Sequence, residues 1–129
     1  MVKNTIFTLF FLVLISCGKS EDSSKAESLV FSDVVVVDSG ANEENAFCKN
    51  FKLTNEQAVS FFKRSHLIST KIMHDKYDYL PCYVKGTSKI KDKKCNWEIR
   101  AGGTSEISCS DTNYILACDK CDDLLKDSQ

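Results

Sequence analysis

The sequence predicts an α+β fold in which one N-terminal helix packs on a small antiparallel β-meander, stapled by disulfides. Three observations carry that expectation. Thr54, with Gln57 three residues on, opens a stretch in which Ala58, Phe61, Phe62 and Ser65 share one helical face. Beyond Pro81, short runs rich in apolar residues are separated by turn residues, Gly102-Gly103 the clearest of them. Seven cysteines, at 17, 48, 82, 95, 109, 118 and 121, supply the staples.

At the start of the chain, Met1 to Thr5 carries one charge, Lys3, and Ile6 to Ile15 is apolar apart from Thr8. This is the layout of a secretory signal, and it is far short of the roughly 20 residues a spanning helix needs. Leu14-Ile15-Ser16-Cys17 then resembles the lipobox of bacterial lipoproteins. The resemblance implies that branched Leu14 and small Ser16 fit the signal peptidase. It also implies that the Cys17 thiol takes a diacylglycerol and Cys17 becomes the first mature residue. Ordinary cleavage without lipid is the rival reading. Cysteine parity favours the anchor. An odd thiol is left over among seven, and lipid on Cys17 leaves six, which can pair.

The expected organisation is a signal peptide over 1–16, a lipidated Cys17 with a flexible tether over 17–28, and a single α+β domain over 29–129. Removing the first 16 residues removes Lys3, leaving sixteen basic against eighteen acidic side chains. A near-neutral chain without a basic block has no electrostatic footprint for nucleic acid. Gly18 to Ser28, GKSEDSSKAES, is polar and lacks aromatics, as a solvated tether does. By resemblance, Gly18 after the lipidated cysteine points to the outer membrane, and Glu21-Asp22 is similar to the acidic stretch of surface-displayed lipoproteins.

Leu29 to Asp38 reads as a strand or a docking segment, ended by Ser39-Gly40-Ala41-Asn42. The helix is expected from about Asn55 to His66. Leu67 to Tyr79 holds either a short strand or a second helical turn. Pro81 suits the start of a strand, where its missing N–H does little harm. The meander strands are Cys82–Thr87, Lys94–Arg100, Thr104–Cys109 and Asn113–Cys118.

Two registers compete at the Gly102-Gly103 hairpin. A loop of Ala101-Gly102-Gly103 puts Gly103 at a left-handed position, pairs Trp97 with Ile107 and sets Cys95 opposite Cys109. Its fault is Glu98 facing Glu106. The alternative pairs Arg100 with Glu106 and separates the cysteines. A disulfide is worth about 2–4 kcal/mol and a surface charge pair under about 1, so the first register is preferred. Cys48, Cys82, Cys118 and Cys121 are expected to be oxidised too, in pairs the sequence leaves open.

Cys118-Asp119-Lys120-Cys121 has the spacing of a redox pair, but Asp122 and Asp123 would raise a thiol pKa, and structural bonding is the plainer reading. Zinc wants two close ligand pairs, and only one is present. No metal, cofactor or catalytic group is assigned. The densest mix of polar and aromatic groups is His74, Asp75, Tyr77, Asp78 and Tyr79. With Arg100 of the adjacent hairpin, they form the candidate protein-binding surface, against the plainer alternative of a solvated loop.

The runs HDKYDYLPCYVKGT, CNWEIRAGGTSEISC and YILACDKC resemble a family of small, uncharacterised bacterial proteins. That resemblance implies an immunity-type role, with no family residue to carry over. The expected function is therefore a membrane-anchored, extracytoplasmic lipoprotein that binds or inhibits a protein partner. One alternative is a thiol-redox or other enzymatic accessory using Cys118/Cys121 or His74. Another is a structural envelope lipoprotein.

Overall fold

The computed structural model of the chain describes residues 29–42 and 46–126. The expected signal peptide over 1–16 and the expected lipidated Cys17 and tether over 17–28 lie outside the described residues. In chain order the elements are β1 (Phe31–Ala41), a 3-10 turn (Ala46–Asn50), α1 (Asn55–Arg64), β2 (His66–Leu67) and α2 (Thr70–Lys76). These are followed by β3 (Cys82–Ile90), β4 (Lys93–Arg100), β5 (Thr104–Cys109), β6 (Asn113–Ala117) and α3 (Asp122–Leu125). The strands form a six-stranded antiparallel sheet in the order β1-β3-β4-β5-β6-β2. The architecture is mostly β, with short helices and three disulfides.

The expected meander is the middle of this larger sheet. β1 adds one edge, and it runs through Gly40 and Ala41, where a break was expected, because Gly40 pairs with Tyr83 and Ala41 with Cys82. Two register shifts absorb the mismatch, and Asp33 sits at positive φ within the first. The ambiguous stretch after α1 holds both of its alternatives: the two-residue β2, which closes the other edge on β6, and then α2. α1 stops two residues earlier than expected because Ser65 turns to extended backbone and leads into β2.

α1 is capped as its sequence dictates. Gln57 N–H donates to Thr54 Oγ1 at 3.1 Å, and Thr54 N–H donates to Gln57 Oε1 at 2.9 Å. Ala58, Phe61 and Phe62 are buried. Phe62 stacks on Phe31 at 4.4 Å and meets Trp97 edge-on at 5.3 Å, so one aromatic chain ties β1, α1 and β4 together.

Cross-strand pairing sorts the sheet into two faces. Val84, Gly86, Cys95, Trp97, Ile99, Ser105, Ile107 and Leu116 alternate onto the core face and are buried. Trp97 lies directly across from Gly86, and a Cβ at position 86 would run into its ring and into the Val35 carbonyl. The indole N–H donates to Thr87 O at 2.9 Å, fixing the ring over that space. Cys95 faces Cys109 with Cα atoms 4.2 Å apart, and the two are bonded. Gly103 takes φ 92° in the hairpin loop. Cys48–Cys82 ties the 3-10 turn to the start of β3, and Cys118–Cys121 closes the turn before α3.

Candidate functional site

The candidate surface follows from the direction of the strands. β1, β4 and β6 run one way, and β3 and β5 run back. One end of the sheet therefore gathers the start of β1 at Phe31 and the β3–β4 turn, since Phe31 pairs with Ile90. The opposite end gathers Ala41, Cys82, Arg100 and Ala117. The nine residues of β3 separate the two ends by about 26 Å.

At that second end Tyr83 and Arg100 are cross-strand partners. Arg100 is only 8% exposed, yet its guanidinium has partners on every side. It forms an ion pair with Glu98 and donates to Leu80 O at 3.4 Å. Its guanidinium carbon lies 4.4 Å from the Tyr79 ring centre and 5.7 Å from that of Tyr83. The Asn42 amide satisfies the cluster with its oxygen turned inward. It then accepts from Tyr79 Oη at 2.6 Å and from both terminal Arg100 nitrogens at 3.1 Å. Tyr79 itself is 68% exposed, so a rigidly held aromatic faces solvent over a buried charge.

The structure does not gather the six expected residues into one patch. Tyr77 ends α2 and points elsewhere, donating its hydroxyl to Asp119 at 2.5 Å. His66 Nε2 sits 3.8 Å from the other oxygen of the same carboxylate. That hydrogen bond, with partial burial and the carboxylate charge, pushes the Tyr77 phenol up to about 12. His74 and Asp75 are exposed on α2, and Asp75 is held by Lys71 at 2.6 Å rather than by His74. Asp78 is exposed. Only Tyr79 and Arg100 come together. Asn42, Tyr83 and Glu98 complete their cluster, and no local pattern marked them, because the β1–β3 and β3–β4 registers bring them in.

Beside this cluster, the outer face of the sheet forms an open concavity of about 700 Å³. Cross-strand rows line it: Lys85, Glu98, Glu106 and Ile115 in one, Thr87, Asn96, Ser108 and Asn113 in the next. Val37 and Thr70 flank it. Among the described residues, no group of three or more His, Cys, Asp or Glu side chains is placed to hold a metal ion, and no helix is long and apolar enough to cross a membrane. Cys118 and Cys121 are bonded and buried. Compared with protein-family models, with curated proteins and with solved structures, the chain matches none.

Proposed function

We propose that this chain is an α+β binding module, anchored to the outer membrane by lipid on Cys17, which captures or inhibits a protein partner in the manner of an immunity protein. The observation that carries the reading is Tyr79 standing exposed on the buried, fully partnered Arg100. Tyr and Arg dominate interface hot spots, and an aromatic already fixed before binding loses little entropy on contact. The cluster also lies at the end of the sheet opposite the point where the tether would join, so a partner meets it unobstructed. The signal layout and the lipobox support the anchor, and cysteine parity agrees with both.

A photo-crosslinking residue placed at position 79 of the full chain, in cells that make it, tests the binding reading. The expected result is one dominant cross-linked protein, whose purified form binds the native chain and loses about thirtyfold in affinity to Tyr79→Ala. Cross-linking from positions on the opposite end but none from 79 would overturn it. Fatty-acid labelling that disappears in Cys17→Ser tests the anchor separately.

A further inference from the structure

We propose that Cys95–Cys109 is a thiol–disulfide exchange site, opened by an external dithiol while the other two bonds stay closed, with the Ser88 hydroxyl stabilising the departing Cys95 thiolate. Register places Ser88, Cys95 and Cys109 in one row across β3, β4 and β5, on the core face. Cys95 lies five residues along β4 from Arg100, about 17 Å away, so the row is separate from the Tyr79 cluster. Access distinguishes this bond from the other two. Cys48, Cys82, Cys95, Cys118 and Cys121 are between 1% and 7% exposed, whereas Cys109, the last residue of β5, is partly exposed. Exchange requires a thiolate to reach a sulfur, and exposed disulfides are the labile ones. Asp111, two residues beyond Cys109, would repel an incoming thiolate, but its ion pair with Lys93 offsets that charge.

The buried side of the bond accommodates the leaving group. Ser88 is 3% exposed, and its hydroxyl makes no hydrogen bond among the described residues, a costly state for a buried donor. Its cross-strand neighbour on the same face is Cys95. Side chains so placed have Cβ atoms about 5 Å apart, close enough for an O–H to reach a sulfur. While the disulfide is closed, Cys95 Sγ is a weak acceptor. As a thiolate it accepts a charge-assisted hydrogen bond from Ser88, which offsets the burial that otherwise raises a thiol pKa. Once protonated, the thiol has an acceptor too, since Lys93 O lies 3.4 Å from Cys95 Sγ. In the first step the attacking thiolate bonds Cys109 Sγ, and the electron pair of the broken S–S bond leaves on Cys95 Sγ. The second thiol of the reagent, as its thiolate, then displaces Cys109. The dithiol ends as a disulfide, and its two electrons and two protons end on Cys95 and Cys109. The β4–β5 ladder, from Asn96–Ser108 to Ile99–Ser105, holds the two thiols opposite one another for reoxidation.

The test exposes the oxidised full chain, with any free Cys17 alkylated first, to dithiothreitol. N-ethylmaleimide stops the reaction, and mass spectrometry locates the newly alkylated cysteines. Cys95 and Cys109 are expected to be labelled about tenfold sooner than the other four, whose buried bonds react only through local opening. The chain should stay folded at that stage, with a cooperative thermal melt followed by Trp97 fluorescence. Glutathione, a monothiol, should leave its adduct on Cys109. Ser88→Ala should slow the reduction about tenfold, the worth of one hydrogen bond to a charged group, without lowering the melting temperature of the oxidised chain. Opening of either other disulfide first, or unfolding when Cys95–Cys109 opens, would overturn the proposal. So would a glutathione adduct on Cys95 instead of Cys109. A rate unchanged in Ser88→Ala, or one that falls only together with the melting temperature, would overturn the part assigned to Ser88.

Discussion

Tyr79 and Arg100 are joined by a stacking contact of 4.4 Å in which the ring is exposed and the guanidinium is buried. The two residues therefore answer differently to truncation. Tyr79→Ala removes a cation–π contact at an exposed site, worth about 0.5–1 kcal/mol of stability. Arg100→Ala leaves Glu98 without its ion-pair partner and should cost about 3 kcal/mol. Urea denaturation of the two variants checks the contrast, and equal losses would mean that the ring, not the charge, supports the fold.

Gly86 is where the core has no room. Alanine there would drive a methyl into the Trp97 ring and the Val35 carbonyl at once, displacing β1 or the indole. Gly86→Ala is expected to lower stability by about 3 kcal/mol and to change the Trp97 fluorescence, since Trp97 is the single tryptophan of the chain.

The three disulfides should rank by the length of chain they close. The sequence separations are 34 for Cys48–Cys82, 14 for Cys95–Cys109 and 3 for Cys118–Cys121. Loop-closure entropy then gives about 4, 3 and 2 kcal/mol on removal of each pair by double serine substitution. Calorimetry of the three double variants gives the order directly.

On the alkaline side, Tyr77 is the group to follow. Its folded pKa of about 12 lies above the ordinary phenol value of 10, so the folded state holds that proton more tightly. Its contribution to stability is complete below about pH 10 and is lost as pH rises through about 12. Ultraviolet titration of tyrosinate should show one late-ionising phenol, which moves down in Asp119→Asn. On the acid side, the hydrogen bonds from Arg64 and Lys93 hold Asp123 and Asp111 below the usual carboxylate value. Their contribution is present above about pH 4 and is lost as pH falls through the lower folded values.

Local chemistry made part of this structure legible. The Thr54/Gln57 capping box marks the start of α1, and the Cys95–Cys109 pair with a left-handed Gly103 selects the hairpin register even though Glu98 then faces Glu106. The rest depends on partners far away in sequence. β1 passes through Gly40 only because β3 lies beside it, and a strand as short as β2 has no period to detect. Tyr77 and Tyr79 are near neighbours in the chain. The end of α2 nevertheless sends one to Asp119 and the other to Arg100. Tyr83 joins the cluster through its cross-strand place opposite Arg100, which no local pattern encodes.

The placement of chain entry and Tyr79 cluster at opposite ends of one antiparallel sheet also governs how the domain bears force. A pull between Phe31 and Arg100 acts along β1, β3 and β4, while the hydrogen bonds joining them run across the strands. Such a load shears whole ladders together instead of peeling them one bond at a time. The sheet is thus a stiff mechanical link between the start of β1 and the end of β4.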